Sequence, residues 1–327
     1  MKKINFGIIG TGRIAQQFLN EVQKNEKIDV VGICARNFEK TVDIAKQYNI
    51  EKPYESSGEM LKDGDIDAVY IATMHPTHFA YTMKALNAGK HVLCEKPAVL
   101  KKEELEEVIK LAKEKKLLFM EAMVVGFNPL YKKMKDLIAN GQIGIVVHVE
   151  SSFGSKSTKV HKHNSKQAGG ALYDIGIYNI FLLTDLLGIP AEIDVKARKN
   201  DWGVEGSVTG LLEYKGGVSG SFYATMDSIS GNSAKIIGTD GMIEIPDTWT
   251  VAEKFVLKRL GEEARNFEMK EDKWLGYEIE SFVDTLLKGK IQNEIMTYEK
   301  SLNLHETIDM VKEKLGFKYE NLEIEVN

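Results

Sequence analysis

The sequence predicts an α/β protein in which a helix-covered parallel sheet precedes a second domain, of α+β type, with a large open, mostly antiparallel sheet. Three observations predict this. Over roughly the first 120 residues, strand-like apolar runs alternate with helical patterns, which is typical of a parallel sheet. Between residues 192 and 256, turn residues separate short alternating strands. The 327 residues are enough for two domains, which we place at 1–122 and 123–327.

Each element of the first domain follows from its own pattern. Buried-strand runs predict strands at 3–10, 28–34, 68–73, 91–94 and 117–121. Apolar residues at helical spacing predict helices at 13–24, 38–48, 77–87 and 103–115. Crossovers between parallel strands are right-handed, so we expect helices on both faces of this sheet.

The pattern changes after residue 122. Helices are predicted at 129–140, 172–187, 277–288 and 299–314, with a strand at 145–153. A basic loop covers 154–170, and the short strands of the second sheet fill 192–256. The last helix either stays with the second domain or packs back on the first.

Composition excludes several classes of protein. The chain has 43 Lys and Arg against 48 Asp and Glu, a net charge of −5, which argues against nucleic-acid or anionic-membrane binding. It has no apolar run of about 18 residues and no signal-peptide pattern. Two cysteines, Cys34 and Cys94, are too few for a disulfide framework or a cysteine zinc site. We therefore expect a cytoplasmic protein whose partner is a small molecule.

The strongest local signal is a glycine-rich turn between the first strand and the first helix. Gly10 permits a tight turn, Gly12 lets the backbone approach a pyrophosphate, and Ala15 permits close helix–strand packing. The helix N-terminus adds backbone N–H donors. The turn predicts a Rossmann dinucleotide site, and the alternative is a glycine turn that serves an unrelated ligand. The predicted contacts here are Gly10, Thr11, Gly12, Arg13 and Ile14.

The end of the second strand should decide which dinucleotide binds. An NAD site usually places Asp or Glu there to bind the ribose 2′-hydroxyl. Here the strand is followed by Ala35 and Arg36, without a carboxylate at the tip. Arg36 and Lys40 have the charge and length to reach a 2′-phosphate, which favours NADP, with NAD as the alternative. Otherwise both are solvated basic residues at a helix start.

Two further segments carry reactive side chains. Lys96 follows the fourth predicted strand, at the sheet edge where such domains bind ligands, and Pro97 fixes its turn. By itself, a Glu-Lys-Pro loop is more often solvated charge. Asp174 and Tyr178 are spaced to share one helix face, with Gly176 between them. The alternative is a packing glycine beside a tyrosine anchored in the core.

These segments together resemble the Gfo/Idh/MocA family, the group of glucose-fructose oxidoreductase and inositol dehydrogenase. The resemblance extends over nearly the whole chain. Its strongest stretches are 10–15, 72–73 with His78, 85–97 and 169–178. It implies a Rossmann domain followed by an α+β domain, in agreement with the patterns above. It also implies hydride transfer between a nicotinamide and the hydroxyl-bearing carbon of a sugar, polyol or trans-dihydrodiol.

The resemblance implies catalytic roles for Lys96, Tyr178 and Asp174. Tyr178 would exchange the proton of the substrate hydroxyl. Because the pKa of tyrosine is ordinarily about 10, such a base needs a nearby cation, which Lys96 would supply. Asp174 would orient the substrate hydroxyl or Lys96, or alternatively serve as a structural carboxylate. The other implied cofactor contacts are Ala35, Thr73, His75, His78, Glu95 and Lys96.

Departures from the family pattern fall in the substrate region. Tyr178 stands where many members carry His, which resembles the branch of dimeric dihydrodiol dehydrogenase and xylose dehydrogenase. Segments 120–123 and 127–129 resemble the former enzyme, but Val124 and Gly126 replace its Trp and Arg. His161 stands where Arg is frequent, and His75 where Asn is common. We therefore expect a remodelled pocket, contacted by Phe153 and His161, with the 154–168 loop either a lid or solvated.

Three expectations remain to be weighed. His75 and His78 have no third ligand at metal spacing, so no metal site is predicted. Besides a dehydrogenase, the family contains redox-assisted glycosidases and cofactor-sensing regulatory proteins, which are the alternative functions. We expect a homodimer through the C-terminal sheet, with a tetramer as the alternative.

Overall fold

The computed structural model describes residues 3–156, 168–269 and 273–316. The described chain separates into two compact units. Residues up to 123 together with 273–301 form the first unit, and residues 124–269 together with 302–316 form the second. The boundary after residue 122 stays a prediction. The compact units differ from the predicted domains in one stretch: residues 273–301 belong to the first unit, because the helix in that stretch packs on the first helix of the chain.

Helices and strands alternate through the first unit and separate in the second. The helices are α1 (Arg13–Val22), α2 (Phe38–Tyr48), α3 (Ser57–Lys62), α4 (His78–Asn87), α5 (Lys102–Lys115), α6 (Val124–Phe127), α7 (Pro129–Ala139), α8 (Ile177–Leu187), α9 (Gly276–Leu287) and α10 (Tyr298–Leu315). The strands of the first unit are β1 (Ile4–Ile9), β2 (Ile28–Cys34), β3 (Lys52–Tyr54), β4 (Ala68–Ile71), β5 (His91–Glu95) and β6 (Phe119–Ala122). Those of the second are β7 (Val146–Gly154), β8 (Glu192–Lys199), β9 (Glu205–Glu213), β10 (Ser219–Thr225), β11 (Ala234–Gly238), β12 (Gly241–Ile245), β13 (Lys254–Arg259) and β14 (Arg265–Glu268).

The first unit contains the predicted parallel sheet. Its strands have the order β3-β2-β1-β4-β5-β6, and every described pairing is parallel. This is the doubly wound arrangement, in which ligands bind beyond the carboxyl ends of the strands. The sequence analysis missed β3 and α3, because a strand of three residues and a helix of six are too short to show a period.

Aromatic side chains fill the core of the first unit. The ring of Phe6 on β1 lies 5.6 Å from Phe18 of α1 and 5.8 Å from Phe282 of α9. Phe18 in turn stacks on Tyr70 of β4, with ring centroids 4.0 Å apart. At the start of α10, the ring of Tyr298 lies 6.5 Å from Phe119. The contacts of Phe18 hold α1 against the sheet.

The second unit contains the predicted open sheet. Its strand order is β14-β13-β12-β11-β7-β10-β9-β8, and the described pairings are antiparallel except that of β7 with β10. The exception arises because β7 enters the middle of the sheet before the meander begins. The meander continues past the predicted end at residue 256 to Glu268. Helix α8, which is largely apolar, packs on β7 and β10.

The helix predicted at 172–187 has two parts. Residues Leu172–Gly176 form a π-helical turn, and α8 continues from Ile177. Such turns are rare and occur often at functional sites. Within the described ranges, none of the helices is long and apolar enough to span a bilayer. Nor do those ranges bring together three His, Cys, Asp or Glu side chains that could hold a metal ion.

Candidate active site

Gly10 stands where the backbone requires glycine. Its φ is +125°, a conformation that L side chains rarely adopt. A Cβ atom at this position would lie 2.3 Å from the carbonyl oxygen of Ala72, which follows β4. The first glycine of the motif is therefore explained by a close approach between two strand ends.

Gly12 is different, because its missing side chain leaves open space. A Cβ there would meet no heavy atom within 4 Å. Gly12 is the N-cap residue of α1 and has no side chain with which to cap that N-terminus. Ala15 is fully buried, so the first turn of α1 lies close against the sheet. An uncapped helix N-terminus beside open space fits the pyrophosphate of a dinucleotide. The other predicted contacts of the turn differ in exposure: Thr11 is buried, Ile14 half-buried and Arg13 exposed.

The end of β2 presents positive charge. Arg36 and Lys40 are exposed, while Ala35 is half-buried. The side chain of Asn37 caps α2 by accepting from the backbone N–H of Lys40 at 2.9 Å. Burial raises the pKa of Tyr81 on α4, and the charge of Arg36 opposes that rise. Both basic side chains remain accessible to a phosphate.

His78 ties the ends of β4 and β5 together. It is 1% exposed, with Nδ1 2.7 Å from the carbonyl oxygen of Pro97 and Nε2 3.2 Å from that of Thr73. Burial lowers its pKa, against the effect of the two carbonyls. The Thr73 hydroxyl also lies 2.6 Å from that of Thr77. His75 is half-buried, and its ring lies 6.0 Å from that of His78. Direct cofactor contacts by these residues stay predictions.

The turn that carries Lys96 is held on both sides. The Lys96–Pro97 peptide bond is cis, and the Pro97 carbonyl contacts His78. On the other side, the backbone N–H of Ala98 donates to Oε1 of Glu121, a carboxylate 1% exposed, at 2.9 Å. Lys96 itself is half-buried. A lysine that carries chemistry is best presented from such a fixed turn.

Glu95, the residue before Lys96, has its carboxyl group in the core. Tyr70 donates a hydrogen bond to it at 2.5 Å, and Glu278 of α9 interacts electrostatically with both residues. Burial raises the pKa of both carboxyl groups. A contact between Glu95 and a cofactor therefore stays a prediction. Sequence analysis missed Tyr70 and Glu278. Two features of the sequence could have indicated a buried polar cluster: a tyrosine inside a buried strand, and a glutamate on the apolar face of α9.

The second unit holds Asp174, Tyr178 and Phe153. Asp174 lies in the π-helical turn, where its backbone N–H donates to the Gly170 carbonyl at 3.3 Å. Tyr178 follows in α8, and its ring packs edge-on against Phe153 at 5.6 Å. All three side chains are half-buried. Four residues are close to one helical turn, so Asp174 and Tyr178 remain on one side of the segment.

Gly176 is explained by packing. A Cβ there would lie 3.2 Å from the Ala171 carbonyl oxygen and 3.4 Å from Cβ of Ala224 on β10. The glycine thus allows the helix to lie close to the sheet. His161, which sequence analysis predicted as a substrate contact, lies outside the described residues, as does most of the basic loop (157–167).

Comparison with known proteins identifies the family. Residues 4–123 match the model of an oxidoreductase family with an NAD-binding Rossmann fold, and residues 131–244 match the GFO/IDH/MocA C-terminal domain. A trans-1,2-dihydrobenzene-1,2-diol dehydrogenase from Oryctolagus cuniculus is 31% identical, over 95% of this chain and 98% of that protein. The chain belongs to the Gfo/Idh/MocA family. The family assignment, the Rossmann and open-sheet architecture, and the NAD(P)-dependent oxidoreductase class are thereby confirmed.

Other Gfo/Idh/MocA relatives cover the chain equally well. The enzyme of the same name from Bos taurus is 30% identical over 97% of this chain and 98% of that protein. A 3-ketoreductase from Actinomadura kijaniata, crystallised with NADP and TDP-benzene, is 25% identical with a TM-score of 0.87, and the match covers 96% of this chain and 98% of that one. The aldose-aldose oxidoreductase of Caulobacter crescentus, 22% identical with a TM-score of 0.86 over 96% and 97%, shows the fold alone.

Proposed function

We propose that this protein is an NADP-dependent oxidoreductase that transfers a hydride between the nicotinamide and a hydroxyl-bearing carbon of a sugar, polyol or trans-dihydrodiol. The observation that carries the proposal is the N-terminus of α1, where Gly12 offers no capping side chain and leaves open space. It fits the phosphates of a dinucleotide in a chain of an oxidoreductase family. When bound, the nicotinamide supplies the centre that accepts or donates the hydride.

The preference for NADP rests on charge at the end of β2. A 2′-phosphate needs cationic donors, and Arg36 and Lys40 are both exposed there. The ribose of NAD is usually held by a carboxylate, and the residues that follow β2, Ala35 to Phe38, contain none. The related 3-ketoreductase was crystallised with NADP, which agrees with this choice.

The residues of the reaction divide by role. Tyr178 accepts the proton of the substrate hydroxyl in oxidation and returns it in reduction. Lys96 supplies the positive charge that favours the tyrosinate. Asp174 orients the substrate hydroxyl. Phe153 packs edge-on against the ring of Tyr178, which limits rotation of that ring.

The substrate class rests on the relatives. The proteins that match over nearly the full chain are named as a diol dehydrogenase and a 3-ketoreductase. The reactions in these names take place at a carbon that carries a hydroxyl or a carbonyl group. A vicinal diol, present in sugars, polyols and dihydrodiols alike, is therefore the group that we expect the pocket to accept.

Assembly and location are part of the proposal. From Val208 to the end of β9 buried and exposed residues alternate, with Val208 and Leu212 buried and Leu211 46% exposed, so this part of the sheet has an open face. We propose that this face forms a homodimer, which light scattering at micromolar concentration would test, since a monomer alone would contradict it. Cys34 and Cys94 are buried and unpaired, which favours a reducing, cytoplasmic location.

The activity test is absorbance at 340 nm with NADP⁺ or NAD⁺ across aldoses, polyols, inositols and cyclic diols. We expect turnover with at least one vicinal diol and a preference for NADP⁺. Tight NADPH binding without turnover on any substrate or on the matching carbonyl compounds would contradict the dehydrogenase. It would favour the sensing or glycosidase alternatives instead.

A further inference from the structure

The helical segment that carries Asp174 and Tyr178 begins without a local cap. The segment starts at Leu172. The methyl side chain of the preceding Ala171 cannot accept a hydrogen bond from the first N–H groups of the segment. The acceptor comes instead from another element of the second unit. Oε1 of Glu205, at the start of β9, accepts from the backbone N–H of Leu172 at 3.3 Å. A carboxylate at a helix N-terminus is favoured by the helix dipole.

The same carboxylate explains Gly170. The φ of Gly170 is +134°, and a Cβ there would lie 2.5 Å from both Cδ and Oε1 of Glu205. The carboxylate thus lies directly on the backbone of Gly170. The carbonyl of Gly170 accepts from the backbone N–H of Asp174 at 3.3 Å. Glu205 therefore contacts both the glycine turn and the first turn of the helix.

Burial favours retention of this contact. Glu205 is 1% exposed, and a carboxylate in such an environment must stay close to its hydrogen-bond donors. Truncation of the side chain would leave the N–H of Leu172 without this acceptor and a void beside Gly170. The start of the helix would then be free to shift or rotate, and the side chains of its first turns with it.

We propose that Glu205 is a positioning residue that fixes the start of the helical segment and so holds Asp174 and Tyr178 in their reactive orientation. The inference rests on the proposed function for its kinetic consequence. Displacement of a reacting group by about 1 Å can lower a rate by about 100-fold. Sequence analysis missed Glu205 because its contacts lie more than thirty residues earlier in the chain.

The test compares Glu205→Ala and Glu205→Gln with a control at the other end of α8. Asp185→Asn removes a carboxylate that is 1% exposed and accepts from Lys135 and Tyr131, so it perturbs the fold without touching the segment start. We expect Glu205→Ala to lower kcat by about 10- to 100-fold with the Kd for NADPH unchanged. Amide hydrogen exchange over 172–176 should accelerate. Glu205→Gln, which keeps an oxygen acceptor of the same reach, should restore most of kcat.

Two results would overturn the proposal. One is unchanged amide exchange over 172–176 in Glu205→Ala. The other is a kcat for Glu205→Ala no lower than that of Asp185→Asn. If Glu205→Ala does not fold, Glu205→Asp, which is one methylene shorter, replaces it with the same expectations. A wild-type protein that binds NADPH but turns over no substrate contradicts the proposed function, and the exchange data then decide on Glu205 alone.

Discussion

The hydroxyl of Tyr70 donates a hydrogen bond to Oε1 of Glu95 at 2.5 Å, inside the core of the first unit. Glu278 of α9, 2% exposed, lies in the same cluster, and burial raises the pKa of both carboxyl groups and of Tyr70. The charge of Lys96 opposes the rise at Glu95. The residue before the predicted catalytic lysine therefore belongs to a buried pair of carboxyl groups that both have raised pKa values.

The acid pair makes stability depend on pH. Folding raises the pKa of Glu278 above the unfolded value of about 4.3. Above that value the unfolded chain has released a proton that the native state still holds, so the free energy of unfolding falls as pH rises towards the folded pKa. Glu278→Gln removes this loss of stability. The loss is about 1.4 kcal/mol for each pKa unit between the folded and the unfolded value. Urea denaturation from pH 5 to 8 should show an advantage of Glu278→Gln that grows with pH.

Glu280→Gln is the control for this comparison. Glu280 lies on the same helix but is 45% exposed, beside Lys273. The Glu280→Gln variant should therefore show a pH dependence of stability close to that of the wild type. A wild type and a Glu278→Gln variant with parallel stability curves would show that Glu278 is ionised in the native state.

The two glycines of the turn should separate fold from cofactor binding. Gly10→Ala places Cβ 2.3 Å from the Ala72 oxygen at a φ of +125°, so we expect a loss of at least about 2 kcal/mol in the free energy of unfolding. Gly12→Ala points into open space and should leave stability within about 0.5 kcal/mol. Its methyl group should nevertheless weaken NADPH binding by at least about 10-fold, measured by fluorescence titration. Normal NADPH affinity in Gly12→Ala would contradict the phosphate site.

Arg36 should distinguish the two dinucleotides. Loss of a charge-assisted hydrogen bond to the 2′-phosphate corresponds to about 1.5–3 kcal/mol, so Arg36→Ala should raise the Kd for NADPH about 10- to 100-fold. The Kd for NADH should change by less than about 3-fold. Lys46→Ala, which removes an exposed charge from the far end of α2, is the control. Equal weakening of both dinucleotides by Arg36→Ala would make the phosphate assignment wrong.

Tyr178 should carry the proton transfer. Tyr178→Phe keeps the ring that packs on Phe153 but removes the hydroxyl, so kcat should fall by at least about 100-fold while the Kd for NADPH stays near wild type. Tyr214→Phe is the matched control, because the buried hydroxyl of Tyr214 has no hydrogen-bond partner among the described residues. A near-normal kcat in Tyr178→Phe would exclude it as the base.

Periodicity predicted the fold well where elements are long. The runs at 28–34 and 38–48 coincide with β2 and α2, because a fully buried strand and an amphipathic helix each imprint a clear pattern. The π-helical turn at Leu172–Gly176 was missed, since its hydrogen-bond register leaves no mark in the spacing of apolar residues. The parallel pairing of β7 with β10 was missed because pairing between distant strands is not encoded locally.

Local motifs explain the part of the candidate site that lies at the glycine-rich turn. The different roles of Gly10 and Gly12 follow from their neighbours in sequence and agree with the geometry of each. Contacts between distant segments did not follow. The core location of the Glu95 carboxyl depends on Tyr70 and on Glu278 of a helix near the other end of the chain. The cap by Glu205 likewise depends on a strand that follows the helix it holds.

The central claim is that the chain moves a hydride from a hydroxyl-bearing carbon to the nicotinamide with Tyr178 as base. The most direct test incubates wild type and Tyr178→Phe with NADP⁺ and diols deuterated at the carbinol carbons, followed by proton NMR of the cofactor. The account predicts deuterium at C4 of the NADPH formed by wild type, at a rate at least about 100-fold lower in the variant. NADPH that forms without deuterium, or at equal rates in both proteins, would contradict it.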